Sequence, residues 1–327
     1  DEKNLDKNNL QRLYEPSLLD NNIFIKGYSQ NKNTLEVLFS DGQVGNFIIQ
    51  DLLNEINQYD LIPEQQPWKK NITLPYHNYK NFKDSSDLTI SMLNDFHSFG
   101  FVIITHLSKK EGTVINFAES LGPVRSTNFG KHFDVISKPN PNDLAYTSLA
   151  LSPHTDNPYR NPVPTIQILH CLKSSIKGGD SKVVDGFKAA LRLKKENKNY
   201  FNLLSKYCSR FEFKGKKNVH LKSRFPMIGL SPDNELTSIH FNNRSIAPIT
   251  DVPYSNMPNY YKAYRKFSSI IDNSSMAFTF KLNPGECFIL DNTRVLHART
   301  AYSKTGSRWL QGCYVDKDGL LSTISTL

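Results

Sequence analysis

The chain has 327 residues, 38% of them hydrophobic, with 20 Phe and 15 Tyr, enough for one large domain or a large domain with a small companion. That composition excludes a disordered chain, and no apolar run reaches the roughly 18 residues of a membrane span. The formal charge of +9 arises from Lys residues in small separate groups (Lys69-Lys70, Lys194-Lys195, Lys214 to Lys217), which reads as a solvated surface rather than a nucleic-acid stripe.

In chain order, the polar start Asp1-Glu-Lys-Asn is no signal peptide, and the missing initiator Met suggests a trimmed chain. Residues 1–20 are expected to be frayed. Residues 21–75 read as a small β-rich domain: Asn22 to Lys26 and Thr34 to Phe39 are strand-like, Ser40-Asp-Gly is a tight turn, and Val44 onward is a further strand. Pro63 to Pro75 reads as a linker. Residues 76–327 form the main domain. Leu88 to Phe99 has helical spacing with Gly100 as its stop, and Phe101 to Thr105 is a strand. Thr113 to Leu121 is a second helix. Strands follow at 143–151, 165–172, 182–185, 238–242, 277–281, 287–291 and 310–316, with single helices over 186–207 and 259–272. This order predicts a mainly β fold with flanking helices, a double-stranded β-helix (jelly roll) whose mouth holds the site. The four cysteines are far apart, which indicates neither a disulfide framework nor a zinc knuckle and fits a reducing cytoplasm. Cys171 and Cys313 lie in apolar runs and are expected to be buried.

One constellation carries chemistry. Leu151-Ser-Pro-His154-Thr-Asp156 is answered by Leu290-Asp-Asn-Thr-Arg-Val-Leu-His297. Two histidines and one carboxylate can cap one face of an octahedral ferrous ion and leave three positions open. In a strand, His154 and Asp156 would point to one side. Eleven residues after His297, Arg308 could hold the distal carboxylate of a 2-oxo acid bidentately. His170 is a rival ligand, but within Ile166-Gln-Ile-Leu-His-Cys-Leu it reads as a core histidine.

The strings His154-Thr-Asp-Asn-Pro-Tyr-Arg160, Ile168-Leu-His-Cys-Leu172, Gly178-Gly-Asp-Ser-Lys-Val-Val-Asp-Gly-Phe187, Phe278-Thr-Phe-Lys-Leu-Asn-Pro-Gly285 and Leu310-Gln-Gly-Cys-Tyr314 occur in order. Over residues 85–327 the chain thereby resembles the Fe(II)/2-oxoglutarate oxygenases of the taurine-dioxygenase-like superfamily. More closely, it is similar to their γ-butyrobetaine and trimethyllysine dioxygenase branch. The resemblance implies that His154, Asp156 and His297 ligate iron, that Arg308 and Ser181 hold the 5-carboxylate of 2-oxoglutarate, and that O₂ is consumed with ascorbate as reductant. The taurine branch has a second Arg four residues on, where this chain has Gly312.

The resemblance also implies an aromatic cage for a trimethylammonium group, a cation–π contact of ~0.5–2 kcal/mol. Tyr146 and Tyr314 match two cage tyrosines, Phe129 and Phe133 stand where the branch has Tyr and Trp, and Asn157 replaces another Tyr. Asn242 and Asp143 match positions near the substrate carboxylate, and Arg125, Lys131 and Arg160 could bind an anion. Relatives often carry a Cys/Cys/Cys/His zinc site in the N-terminal domain. Residues 20–80 contain no Cys, so no structural zinc is expected. A homodimer is implied by the family. The expected activity is hydroxylation of a γ-butyrobetaine-like trimethylammonium compound, with trimethylaminoethylphosphonate or trimethyllysine as alternatives. A non-catalytic betaine-binding protein is the reading of another class.

Overall fold

The computed structural model describes residues 4–57, 63–82, 85–136, 144–215, 218–303 and 305–326. It divides into two units, Asp1–Ile62 and Pro63–Leu327.

In the first unit, β1 (Ile25–Gln30), β2 (Thr34–Phe39) and β3 (Val44–Ile48) form an antiparallel meander, followed by helix α1 (Ile49–Asn57). Only Val37 among its described hydrophobic residues is buried. The helix was not expected. Residues 4–20 hold a Leu5–Arg12 bridge and a short 3-10 turn at Pro16–Leu18.

The second unit begins earlier than the expected boundary at 75/76. The presumed linker packs into it: Trp68 lies 5.1 Å from the Phe101 ring, and its indole N–H donates to the Phe99 carbonyl. Its strands are β4 (Tyr76–Asn78), β5 (Phe101–Thr105), β6 (His132–Val135), β7 (Leu151–His154), β8 (Ile166–Ser174), β9 (Ser181–Asp185), β10 (Cys208–Lys214), β11 (His220–Pro226), β12 (Ile228–Leu230), β13 (Leu236–Ile239), β14 (Ala277–Phe280), β15 (Cys287–Asp291), β16 (Val295–Arg299) and β17 (Arg308–Val315). Its helices are α2 (Tyr79–Phe82), α3 (Ser86–Phe99), α4 (Thr113–Glu119), α5 (Gly186–Glu196), α6 (Lys198–Lys206), α7 (Met257–Ile271) and α8 (Lys317–Thr326).

A six-stranded sheet in the order β4-β5-β15-β8-β17-β6 faces a four-stranded sheet in the order β14-β9-β16-β7. Only β4 and β5 pair in parallel; the other pairs are antiparallel. Period-two alternation sorts the large sheet's residues into layers. Phe101, Ile103, Leu169, Phe288, Leu290 and Leu310 face the small sheet's Val183 and Val295, filling the interior of the roll. Val102, Ile104, Ile166, Ile168, Ile289 and Val315 face outward under α3 and α4. A third core joins the outer face of the small sheet, through Val184 and Leu296, to α5, α6 and α7.

Local signals explain the helix ends. Ser85 caps α3 by accepting from the Leu88 amide, and Gly100 ends it at φ 75°, a left-handed conformation that glycine adopts without strain. The single helix expected over 186–207 is two. Asn197, extended at φ −158°, ends α5, and its side chain accepts from the Tyr200 amide to start α6. The strand expected over 143–151 is instead a 3-10 turn at Leu144–Tyr146 followed by β7, and Asp143 lies outside the described residues. No helix among the described residues is long and apolar enough to cross a membrane.

Candidate active site

β7 and β16 are neighbours, and His154 and His297 are direct register partners across them. On β16, Val295 faces the interior while Leu296 faces the helices, so His297 and Arg299 point inward with Val295. The two imidazoles approach with ring centroids 4.3 Å apart.

Asp156 completes the group, but not by strand geometry. β7 ends at His154, and Asn157 takes a left-handed φ of 52°. Asn292 holds the aspartate's backbone instead. Its Oδ1 accepts from the Asp156 amide at 2.6 Å, and its Nδ2 donates to the Asp156 carbonyl at 2.9 Å and to the Pro164 carbonyl at 2.8 Å. Asp156 Oδ1 then lies 3.4 Å from His154 Nε2 and 3.8 Å from His297 Nε2. One ligand atom from each of the three residues falls within 4.8 Å of the others, the only such grouping of three or more His, Cys, Asp or Glu residues among the described residues.

The electrostatics suit a cation. His154 Nδ1 pairs with the Ser152 carbonyl at 2.8 Å, which orients the ring and turns Nε2 toward the group. Burial, reinforced by His154, pushes His297 down to about 3, so it is neutral and able to ligate. Burial opposes ionisation of Asp156, but His297 and a hydrogen bond with His154 hold its carboxyl well below the usual range. Burial and the Asp156 charge push the Tyr314 phenol well up, so it stays a donor. Two imidazoles and one carboxylate are the donor set of a ferrous facial site.

A cavity of about 690 Å³ opens beside the triad. Most of the residues singled out from the sequence line it: Ser181 and Arg308, and also Phe129, Phe133, Tyr146, Asn157, Asn242 and Tyr314. Arg308 is mostly withdrawn from solvent. Its Nη1 has no partner among the described residues, and no described carboxylate reaches it. A shielded guanidinium with no counter-charge among the described residues fits the far carboxylate of a 2-oxo acid.

Other assignments change. Asn242 lines the cavity, but its amide is engaged by the Thr155 carbonyl and the Arg244 amide. Arg125, Lys131 and Arg160 do not line it. Arg125 donates to Asp316 and to the Pro162 carbonyl, and Arg160 is bound to Asn128. The cavity's additional cations are Arg244, Arg299 and Lys214.

Several lining residues were missed. Phe213, from the β10–β11 hairpin, stacks on Tyr159 at 4.9 Å and meets Phe129 at 5.7 Å. Tyr159 therefore supplies an aromatic face two residues from Asn157, where the resemblance expected a tyrosine. Arg299 and Gln167 also line the cavity. Each carries a readable signal: Arg299 stands two residues after His297, and Gln167 is a polar residue within an apolar strand.

Two facing, largely antiparallel sheets closing around a His-Asp-His face, with a shielded arginine lining the same cavity, define the class of jelly-roll non-haem iron oxygenases. Solved structures of that class share the fold. They include non-heme iron oxygenase OrfP in complex with Fe, succinate and (3S)-hydroxy-L-Arg (TM-score 0.54, 15% identity, 72% of this chain and 85% of that one). PvcB from Pseudomonas aeruginosa is another (TM-score 0.52, 15% identity, 69% and 79%). The chain belongs to the family described as Taurine catabolism dioxygenase TauD, TfdA family, which matches residues 65–314. It is a dioxygenase. Among its relatives, the gamma-butyrobetaine dioxygenase of Homo sapiens is 31% identical over 94% of this chain and 83% of that protein. The gamma-butyrobetaine dioxygenase of Pseudomonas sp. (strain AK-1) is 34% identical over 81% and 69%. The mitochondrial trimethyllysine dioxygenase of Gallus gallus is 32% identical over 97% and 78%.

Proposed function

We propose that this chain hydroxylates a small trimethylammonium compound, γ-butyrobetaine-like, with Fe(II) and 2-oxoglutarate. The observation that carries this reading is a single cavity lined by the His154, Asp156 and His297 triad, by Arg308, and by the aromatic rings of Phe129, Phe133, Tyr146, Tyr159, Phe213 and Tyr314. Relatives named for γ-butyrobetaine and trimethyllysine support the substrate class.

The triad would hold the iron, while Arg308 and Ser181 would take the distal carboxylate of 2-oxoglutarate. Iron and the 2-oxo acid together supply the activation of O₂, with succinate and CO₂ as co-products. The protein's part is positioning. The aromatic walls attract a quaternary ammonium that can donate no hydrogen bond, and they exclude water. One C–H bond is thereby held toward the open side of the triad. Arg244 adds a cation to the same cavity, which favours a substrate whose other end is anionic, a carboxylate or a phosphonate. The N-terminal unit, with its exposed apolar residues, would serve packing or dimer contacts.

Succinate formation tests the reading, measured with Fe(II), ascorbate and 2-oxoglutarate against γ-butyrobetaine, trimethyllysine, trimethylaminoethylphosphonate, choline and taurine. Succinate dependent on one trimethylammonium compound, and lost in His154→Ala, establishes it. Betaine binding without succinate in iron-loaded protein replaces it with the binding-protein reading.

A further inference from the structure

The two oxygens of the Asp156 carboxylate have different surroundings. Oδ1 faces His154 and His297. Oδ2 is turned away and accepts two hydrogen bonds, from Gln167 Nε2 at 2.5 Å and from the Tyr314 hydroxyl at 2.8 Å. The donors come from adjacent strands, where Gln167 on β8 and Tyr314 on β17 are direct register partners. Gln167 is 2% exposed and Tyr314 4%. The Gln167 Oε1 finds no partner among the described residues, so the amide is oriented by its bond to the carboxylate alone. With the backbone of Asp156 already fixed by Asn292, the side chain cannot rotate toward the histidines without breaking both bonds in a buried setting, where unmet polar groups are costly.

We propose that Gln167 and Tyr314 are positioning residues that clamp Oδ2 and keep Asp156 a one-oxygen ligand. This rests on the reading of the triad as a metal site. A carboxylate free to swing could bind through both oxygens and close one of the three positions that the 2-oxo acid and O₂ require. Outer-shell partners of this kind set ligand orientation and metal affinity. Tyr314 has a second contact: its ring lies 5.3 Å from Phe133 on the cavity wall, so the clamp is continuous with the surface the substrate touches.

The test is titration of the full-length apoprotein with Co(II), following its d–d absorption, which reports coordination number as well as affinity. Gln167→Leu and Tyr314→Phe are compared with wild type and with His154→Ala. Each clamp variant is expected to bind Co(II) roughly 10–100-fold more weakly, with an altered spectrum. Tyr314→Phe removes one oxygen and keeps the ring, so it remains decisive if Gln167→Leu is unstable. Wild-type affinity and an unchanged spectrum in folded Tyr314→Phe overturn the clamp while leaving the metal site standing. If wild type binds no Co(II), or His154→Ala binds it equally well, the metal site and the clamp fall together.

Discussion

Asp185 and Arg294 form an ion pair 2.9 Å long with both side chains fully shielded from solvent. The pair gathers chain from four places. Asp185 also accepts from the amides of Trp68, Phe187 and Lys188, and so caps α5. Arg294 also donates to the carbonyls of Gln66 and Ser98 and lies over the Phe187 ring. Arg294 follows Asn292 by two residues and precedes His297 by three. The pair therefore sets the entry of β16, the strand that carries one histidine of the triad. Removing one partner of a buried pair costs about 3–5 kcal/mol. Asp185→Asn should lower unfolding free energy by that order in urea titration. A loss within 1 kcal/mol of zero would contradict this account.

Asn292 anchors Asp156 through the backbone at 2.6 and 2.9 Å. Asn292→Ala should release the aspartate and weaken Co(II) binding at least about tenfold per folded molecule. Equilibrium dialysis of the folded variant checks it, and unchanged affinity would show that the side-chain clamp suffices.

Arg299 donates to the carbonyls of Ala145, Thr147 and Leu149, bracketing Tyr146 on the cavity wall. Burial lowers its guanidinium to about 10, which leaves it charged at neutral pH. A lysine has one nitrogen and cannot reproduce the fork. Arg299→Lys should raise the substrate KM by about tenfold and leave the 2-oxoglutarate KM within about twofold of wild type, a difference of ~1.4 kcal/mol. Should the 2-oxoglutarate KM rise instead, Arg299 belongs with Arg308.

Stability should fall with acid through buried histidine. Burial pushes His240 down to about 4 while it stacks on Phe225 at 4.5 Å. The unfolded chain takes up a proton near pH 6.5, which the folded state refuses until about 4. Its contribution is thus complete above pH 6.5 and disappears as pH falls toward 4. Between pH 7.5 and 5.0 wild type should lose about 2 kcal/mol more than His240→Gln. Denaturant unfolding at the two pH values decides, and parallel losses would refute it.

The residues gathered at the candidate site were legible because ligand type and spacing survive in one dimension. His154, Asp156, His297 and Arg308 announce themselves in this way. The four central strands of the large sheet, β5, β15, β8 and β17, were legible too, since each faces two apolar layers, whereas the half-exposed edge strands β4 and β6 were not. The β10–β11 hairpin was not. His220 to Pro226 has no fully buried residue, so its pattern resembles a polar loop, although the hairpin delivers Phe213 to the cavity. The break at Asn197 was hidden because one residue ends one helix and starts the next. The partnership of Asp185 with Arg294, and of Gln167 with Tyr314, depends on strand neighbours that no local window contains.

Gly312 shapes the cavity wall by what it lacks. A Cβ there would stand 2.6 Å from Phe133 Cζ and 2.7 Å from Leu169 Cδ2. The volume that a side chain at 312 would occupy is already tenanted by an aromatic ring. A side chain at 312 therefore requires the Phe133 ring and the Leu169 side chain to shift, so the shape of this cavity wall depends on the absence of a Cβ at 312.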